Sequence, residues 1–247
     1  MKITFLGTNG WYNSSTGDTI CILVEGQGET IILDAGSGFA RLPTLAAAGQ
    51  TVNLLLSHFH LDHISGLHVL GKYRFPGGLR LFAPTGGREV LQRFLAQPFT
   101  MPWDRLPYPV RLHELPEESG QAPWLEACRE MRHTALTLGY RIRLQNQVVV
   151  YCPDTGYCDN ALELARGADL LLAECAFRPG EEESSWPHLN PETAARLALQ
   201  AGVKQLVLVH FDASRYVDLA QRDEAVQAAR RIFPQVIGSR DGMVLEI

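Results

Sequence analysis

The 247-residue sequence contains no run of eighteen apolar residues, so no membrane-spanning helix is expected. Its start, Met1-Lys2-Ile3-Thr4-Phe5-Leu6-Gly7, is too short in apolar residues for a secretory signal. A cytoplasmic protein is therefore expected. There is no long basic run either. Lys and Arg number 22 against 27 Asp and Glu, a formal net charge of −5, so the chain as a whole does not advertise a polyanion-binding surface. The five cysteines form no Cys-x-x-Cys pair, which excludes a zinc ribbon. Cys21, Cys128, Cys152, Cys158 and Cys175 read instead as small buried hydrophobes in a reducing compartment. No internal repeat and no low-complexity tract is visible.

What is present is an ordinary globular composition, 46% hydrophobic and 20% charged, long enough for a large core. The expectation is a single domain over 1–247. Strands are expected at 2–6, 19–24, 29–33, 51–56, 78–83, 125–132, 137–144, 147–151, 169–173, 205–209 and 243–246, with a further strand residue at Val236. Helices are expected at 39–48, 87–95, 160–166, 191–201 and 219–232. Strands alternating with helices, plus several hairpins, give an α/β fold with mixed sheets. The segment 97–124 stands apart. It carries six prolines interleaved with Phe99, Met101, Trp103 and Tyr108, and reads equally as a flap or as a connector covering the core.

The densest chemistry lies in Ser57-His58-Phe59-His60-Leu61-Asp62-His63, directly after an apolar strand. His58 and His60 are two apart on extended chain, so both imidazoles leave the same side and can share a cation. Asp62 and His63 fall where the chain turns into a helix and can face a second cation. Four N/O donors within six residues suit zinc, manganese or iron better than calcium or magnesium. Three more candidates, His133, Asp154 and His210, sit just past strand ends. Taken singly, each also reads as a hydrogen-bonded structural residue or a turn former.

His58-Phe59-His60-Leu61-Asp62-His63 resembles the HxHxDH signature of the metallo-β-lactamase superfamily. The resemblance implies a four-layer αβ/βα sandwich with two mixed β-sheets and a metal site at their shared edge. It implies that His58, His60 and His133 hold one divalent metal and that Asp62, His63 and His210 hold the other. Asp154 would bridge them. Zinc is the first choice, with manganese or iron as alternatives. Asp34, in Leu33-Asp34-Ala35-Gly36, would orient the ligating histidines from behind. His68 and His113 are left as structural or surface residues.

The second half narrows the branch. Leu170-Leu171-Leu172-Ala173-Glu174-Cys175-Ala176-Phe177, His188-Leu189-Asn190-Pro191-Glu192-Thr193 and Leu206-Val207-Leu208-Val209-His210-Phe211 resemble ribonuclease Z and related phosphodiesterases. By position Glu174 and His188 match that branch's Glu–His pair. The catalytic residues expected are Asp62, with His188 as phosphate ligand or proton donor, held in its tautomer by Glu174. Bacterial ribonuclease Z inserts a long tRNA-binding arm between its third-motif histidine and bridging aspartate. Here His133 to Asp154 leaves room for a hairpin alone. The expected activity is therefore hydrolysis of small or cyclic phosphodiesters. A nucleic-acid substrate, as in tRNA 3′ processing, is the disfavoured alternative. A thioester or lactam hydrolase and a non-enzymatic metal-dependent binding module are the others. A homodimer stays open.

Overall fold

Runs such as Leu170-Leu171-Leu172-Ala173 leave no polar face, so a strand built from them must be covered on both sides. The computed structural model, which describes residues 1–43 and 50–247, shows that arrangement. Leu170 and Leu172 point into the space between two sheets, while Leu171 and Ala173 point the other way, to helices.

The first sheet has seven strands. Their spatial order is Val244–Glu246, Lys2–Gly7, Cys21–Gly26, Glu29–Leu33, Val52–Leu55, Leu79–Pro84 and Val110–Leu115. The second has six, in the order Val236–Gly238, Gln205–Val209, Leu170–Glu174, Gln147–Cys152, Leu138–Leu144 and Leu125–Glu130. Each mixes parallel and antiparallel neighbours. Ile22, Val24, Ile31 and Leu33 of the first face Val149, Tyr151, Val207 and Val209 of the second. Helices Asp159–Ala165, Pro191–Ala201 and Leu219–Arg230 cover the outside of the second sheet. Helix Gly87–Phe94 and the 3₁₀ turns Ser37–Arg41 and Ser65–Lys72 cover the outside of the first. The result is the expected four-layer αβ/βα sandwich. Among the described residues, no helix is long and apolar enough to cross a membrane.

Two expectations are corrected. The helix expected over 39–48 is replaced at its start by the short 3₁₀ turn Ser37–Arg41. Leu42 is forced into extended geometry (φ −54°, ψ 125°) by Pro43, which disfavours helical backbone in the residue before it. Positions 44–48 of that expectation lie outside the described residues. The segment 97–124 contains an unexpected strand, Val110–Leu115, at the edge of the first sheet. Two of its aromatics serve the core: Tyr108 is buried with its hydroxyl donating to Leu70 O at 2.8 Å, and Trp103 packs on the outer cluster, whereas Phe99 and Met101 are exposed. The part from Trp103 to Leu115 therefore covers the core as a connector would.

One small element joins the halves. Asn9–Gly10 pairs in parallel with Phe211–Asp212, so the loop after the first strand is stitched to the chain just past His210.

Candidate metal centre

The site is built from strand ends on one edge of the sandwich. Glu29–Leu33 delivers Asp34, Val52–Leu55 leads to His58, Gln147–Cys152 to Asp154, and Gln205–Val209 to His210. Asp34 (φ 56°) and His210 (φ 54°) both adopt left-handed backbone, which residues other than glycine seldom do. Such strain concentrates where the surrounding fold must aim a side chain.

Asp34 is buried and its two oxygens set the tautomers around it. Oδ1 accepts from Ser57 N–H at 2.7 Å. Oδ2 accepts from the Ser57 hydroxyl at 2.8 Å, the Tyr151 hydroxyl at 2.7 Å and His63 Nδ1–H at 2.8 Å. Because Ser57 Oγ donates to Asp34, it accepts from His58 Nδ1–H at 3.0 Å. Both rings are thereby protonated at Nδ1, and both Nε2 lone pairs face forward.

In front of them, two groups of donors converge. His58, His60, His133 and Asp154 form one; Asp62, His63 and His210 form the other, with the ligand atoms of each group all within 4.8 Å of one another. Asp154 faces both. Its Oδ1 lies 3.1 Å from His63 Nε2 and 3.2 Å from His210 Nε2. Its Oδ2 lies 4.0 Å from His58 Nε2 and 3.9 Å from His133 Nε2. The other separations are 3.1 Å for His63 Nε2 to His210 Nε2, 3.2 Å for His210 Nε2 to Asp62 Oδ2, and 3.6 Å for His63 Nε2 to Asp62 Oδ2. Donors about 2.0–2.2 Å from a tetrahedral ion stand roughly 3.3–3.5 Å apart, so the second group is spaced as one ion needs. The first group is slightly wider: His133 Nε2 is 3.5 Å from His60 Nδ1, but Asp154 Oδ2 stands 3.9 Å from His133 and 4.0 Å from His58.

Burial and charge point the same way. Among the described residues, His58 Nε2 and Asp154 Oδ1 are buried with no hydrogen-bond partner. Burial, helped by the neighbouring His63, holds the His58 pKa well below the ordinary imidazole value, and burial lowers that of His133 too. Both are neutral donors. Burial also acts against charge on His63 and His210, but there Asp154, aided by Asp62, outweighs it and raises both. Burial opposes ionisation of Asp62, yet the imidazoles of His63 and His210 hold it below the ordinary carboxylate range. The carboxylates thus call for positive charge at this point. Imidazole and carboxylate donors with unsatisfied lone pairs fit divalent ions. His133 Nδ1 and His210 Nδ1 are buried without partners, so neither ring is steered from behind as His58 and His63 are.

Beside the donors stand Glu174 and His188. Glu174 Oε1 accepts from Thr155 N–H at 2.9 Å and from His188 Nδ1–H at 2.6 Å, and Oε2 accepts from Ala176 N–H at 2.8 Å. Every contact is to a donor, so the carboxylate is fixed. It overcomes the effect of burial on His188 and raises that imidazole's pKa to about 9. His188 Nε2 is buried and unpartnered. A cavity of about 650 Å³ opens over these groups, lined by His60, Asp62, His133, Asp154, His188 and His210 among others.

Every candidate named from the sequence lies at this one place. His68 instead hydrogen-bonds the carbonyl of Ser65, and His113 pairs with Glu118 on the edge strand. The cysteines are free and lie outside the donor groups. Sequence reasoning missed Ser57 and Tyr151, which share Asp34. It also missed the rim formed by Trp11, Leu61 and Trp186. A tryptophan between Gly10 and a Ser/Thr/Asn loop was the available signal for the rim.

Residues 29–211 match the model of the beta-lactamase superfamily domain. Ribonuclease Z of Trichodesmium erythraeum (strain IMS101) is 26% identical over all of this chain and 95% of its own length. Among solved structures, the metallo-beta-lactamase fold protein YhfI from Bacillus subtilis superposes with a TM-score of 0.80 at 23% identity, covering 99% of each chain. The short form of human tRNase Z gives 0.74 at 21% identity, covering 100% of this chain and 99% of the other. With the family match spanning the donor set from Asp34 to His210, this chain belongs to the metallo-β-lactamase superfamily, in its ribonuclease Z-like branch.

Proposed function

We propose that residues 1–247 form one catalytic unit, a binuclear phosphodiesterase acting on small or cyclic phosphodiesters. His58, His60 and His133 hold one ion, Asp62, His63 and His210 the other, and Asp154 bridges. Zinc suits the imidazole-rich donors best. Two divalent ions held here would supply Lewis-acid activation of water and neutralise charge on the phosphoryl oxygens. The chain's own residues do the rest. Asp34 keeps the His63 lone pair aimed forward directly and the His58 lone pair through Ser57. Asp62 and Asp154 place negative charge where cations are wanted.

His188 carries the reading. Its Nδ1–H is committed to Glu174, whose carboxylate raises the imidazole's pKa, and its Nε2 is free and buried at the cavity. A fixed imidazole next to a phosphoryl site can, when protonated, bind the anion and give its proton to the leaving oxygen. Hydrolysis of a thioester or lactam makes no comparable use of a Glu–His pair.

Small substrates are supported by charge and size. Glu182 and Glu183, exposed in an acidic run, share a crevice with Arg132 and His188, so acidic side chains there offset the basic ones that a polyanion would use. The alignment with the Trichodesmium relative runs over 313 positions against a chain of 247, so tens of its residues have no counterpart here. A second reading, ribonuclease Z-type endonuclease, is favoured by that same full-length similarity.

The test is metal content and turnover together. Purified without chelator and supplied with zinc or manganese, the protein should carry close to two ions, as its two donor groups require. It should hydrolyse bis-p-nitrophenyl phosphate and leave nitrocefin and thioesters intact. Asp154→Ala should lose metal and activity together. A stoichiometry that stays at one ion would remove the bridging role, and thioester hydrolysis without diester hydrolysis would remove the phosphodiesterase.

A further inference from the structure

Trp11 adopts φ +68°, a left-handed backbone that a bulky residue avoids. Its side chain is 61% exposed and meets Tyr12 edge-on at 5.4 Å. The loop is nevertheless fixed. Trp11 N–H donates to Asp62 Oδ2 at 2.7 Å, Tyr12 N–H to Gly10 O at 2.9 Å, and Asn9 Nδ2 to Tyr12 O at 3.1 Å. A strained, well-anchored backbone thus holds an exposed indole on the lip of the cavity over the metal-binding carboxylates. Leu61, 67% exposed, continues the same apolar lip.

Trp186 lines the cavity too, but its ring is engaged. It stands edge-on to His188 at 4.4 Å and carries the Arg215 guanidinium at 5.4 Å, itself paired with Asp212 and Glu181. Trp11, by contrast, is mostly exposed and meets one neighbouring ring, that of Tyr12.

We propose that Trp11, flanked by Leu61, is the subsite for a nucleobase carried by the substrate, so that the preferred phosphodiester is a nucleotide ester. This rests on the phosphodiesterase reading of the metal centre. The geometry favours it because Trp11 is hydrogen-bonded to Asp62, beside the place a phosphoryl group would occupy. A base sits one sugar away from its phosphate, and the indole projects from the same point. Stacking needs a π-face and no particular hydrogen-bond pattern, so the subsite accepts any base.

Thymidine 5′-p-nitrophenyl phosphate and methyl p-nitrophenyl phosphate share a leaving group and differ in the base. The metal-loaded wild type should prefer the thymidine ester in kcat/KM. Trp11→Ala should lose about ten-fold of that preference, chiefly through KM, which is the usual worth of one stacked base. Trp11→Phe should retain it. Trp11→Gly accepts the left-handed backbone without strain, so it reports the missing ring even if Trp11→Ala folds poorly. Binding of thymidine 5′-monophosphate, read by indole fluorescence and calorimetry, needs no turnover. Trp11→Gly should weaken it by a similar factor and weaken inorganic phosphate much less. If neither ester is hydrolysed, the phosphodiesterase reading fails, and the monophosphate still decides the subsite. Equal losses for base-bearing and base-free ligands, or no loss for either, overturn the proposal.

Discussion

Residue 10 must be glycine because the His210 ring occupies the space of its side chain. A Cβ built there would lie 2.5 Å from His210 Cε1 and 2.7 Å from Nδ1. His210 is itself in strained backbone, so its ring has little freedom to retreat. Gly10→Ala should therefore push the His210 ring off the second donor group, while Val209 and Phe211 on either side stay anchored in the two cores. The expected outcome is loss of about one of two metal ions by elemental analysis, with the melt of the metal-free variant close to that of the metal-free wild type. Full metal and full activity would show that the loop yields instead. His188 predicts the opposite pattern, because it faces the cavity without belonging to either donor group. His188→Ala should keep both metals and lower turnover by about 10²–10⁴-fold, the usual worth of a placed acid. The loss should be smaller for p-nitrophenyl esters, whose leaving group hardly needs a proton, than for alkyl esters. Glu174→Gln should give a weaker form of the same pattern, since it disturbs only orientation and tautomer. Reduced metal content in His188→Ala would make His188 a ligand.

Elements whose local chemistry agrees with their burial were legible in the sequence. Glu29–Leu33, Pro191–Ala201 and Gln205–Val209 fall where periodicity and proline placement put them. The helix shows why. Asn190 accepts from Thr193 N–H at 2.8 Å, Thr193 Oγ1 accepts from Asn190 N–H at 2.9 Å, Pro191 opens the first turn, and Gly202 closes in left-handed backbone (φ 65°). Asn190→Ala should cost about 1 kcal/mol in denaturant unfolding. A change within error would mean that Pro191 and packing alone set the start. Most donor residues were legible because they follow buried strands, whereas His133, after the half-exposed edge strand Leu125–Glu130, was the least marked, and only the resemblance to a known pattern assembled them all. Tertiary arrangements were not legible. The ladder Asn9–Gly10 with Phe211–Asp212 is two residues long and joins chain ends of opposite halves, so no local periodicity marks it. The edge strand Val110–Leu115 was hidden by Pro109 and Pro116 at its ends. Its alternation is short and broken: Val110 and Leu112 face the outer cluster, Leu115 faces the opposite, inter-sheet side, and Arg111 and Glu114 stand between. Arg222, buried in helix Leu219–Arg230, was equally invisible. It donates to Thr8 Oγ1 at 2.8 Å and to Asn9 Oδ1, and lies 4.6 Å from the Phe211 ring, so it braces the ladder that carries His210.

At the scale of the whole molecule, the donor groups draw on both halves, so neither half holds a complete site. The field around that site then decides what can reach it. The molecule carries a net charge of −5, and the acidic run Glu181-Glu182-Glu183 lies exposed next to the His188 crevice. A structured RNA brings many phosphates to a surface at once and depends on basic side chains to release its counterions. A small diester brings one charge, which the metal ions and His188 can meet. The protein should therefore cleave nucleotide esters and cyclic phosphates at rates that hardly change between low and physiological salt. Precursor tRNA should be cleaved poorly at physiological salt and should improve as salt is lowered. Replacing Glu182 and Glu183 by lysine should raise RNA affinity and steepen its salt dependence, by about 0.7 in the log–log slope for each single-strand phosphate newly contacted. Those substitutions leave the donor groups alone, so small-ester turnover is the internal control. Efficient 3′ processing of precursor tRNA by the unmodified chain at physiological salt would overturn the small-substrate reading and make the protein a ribonuclease that works without the residues its relative carries in addition.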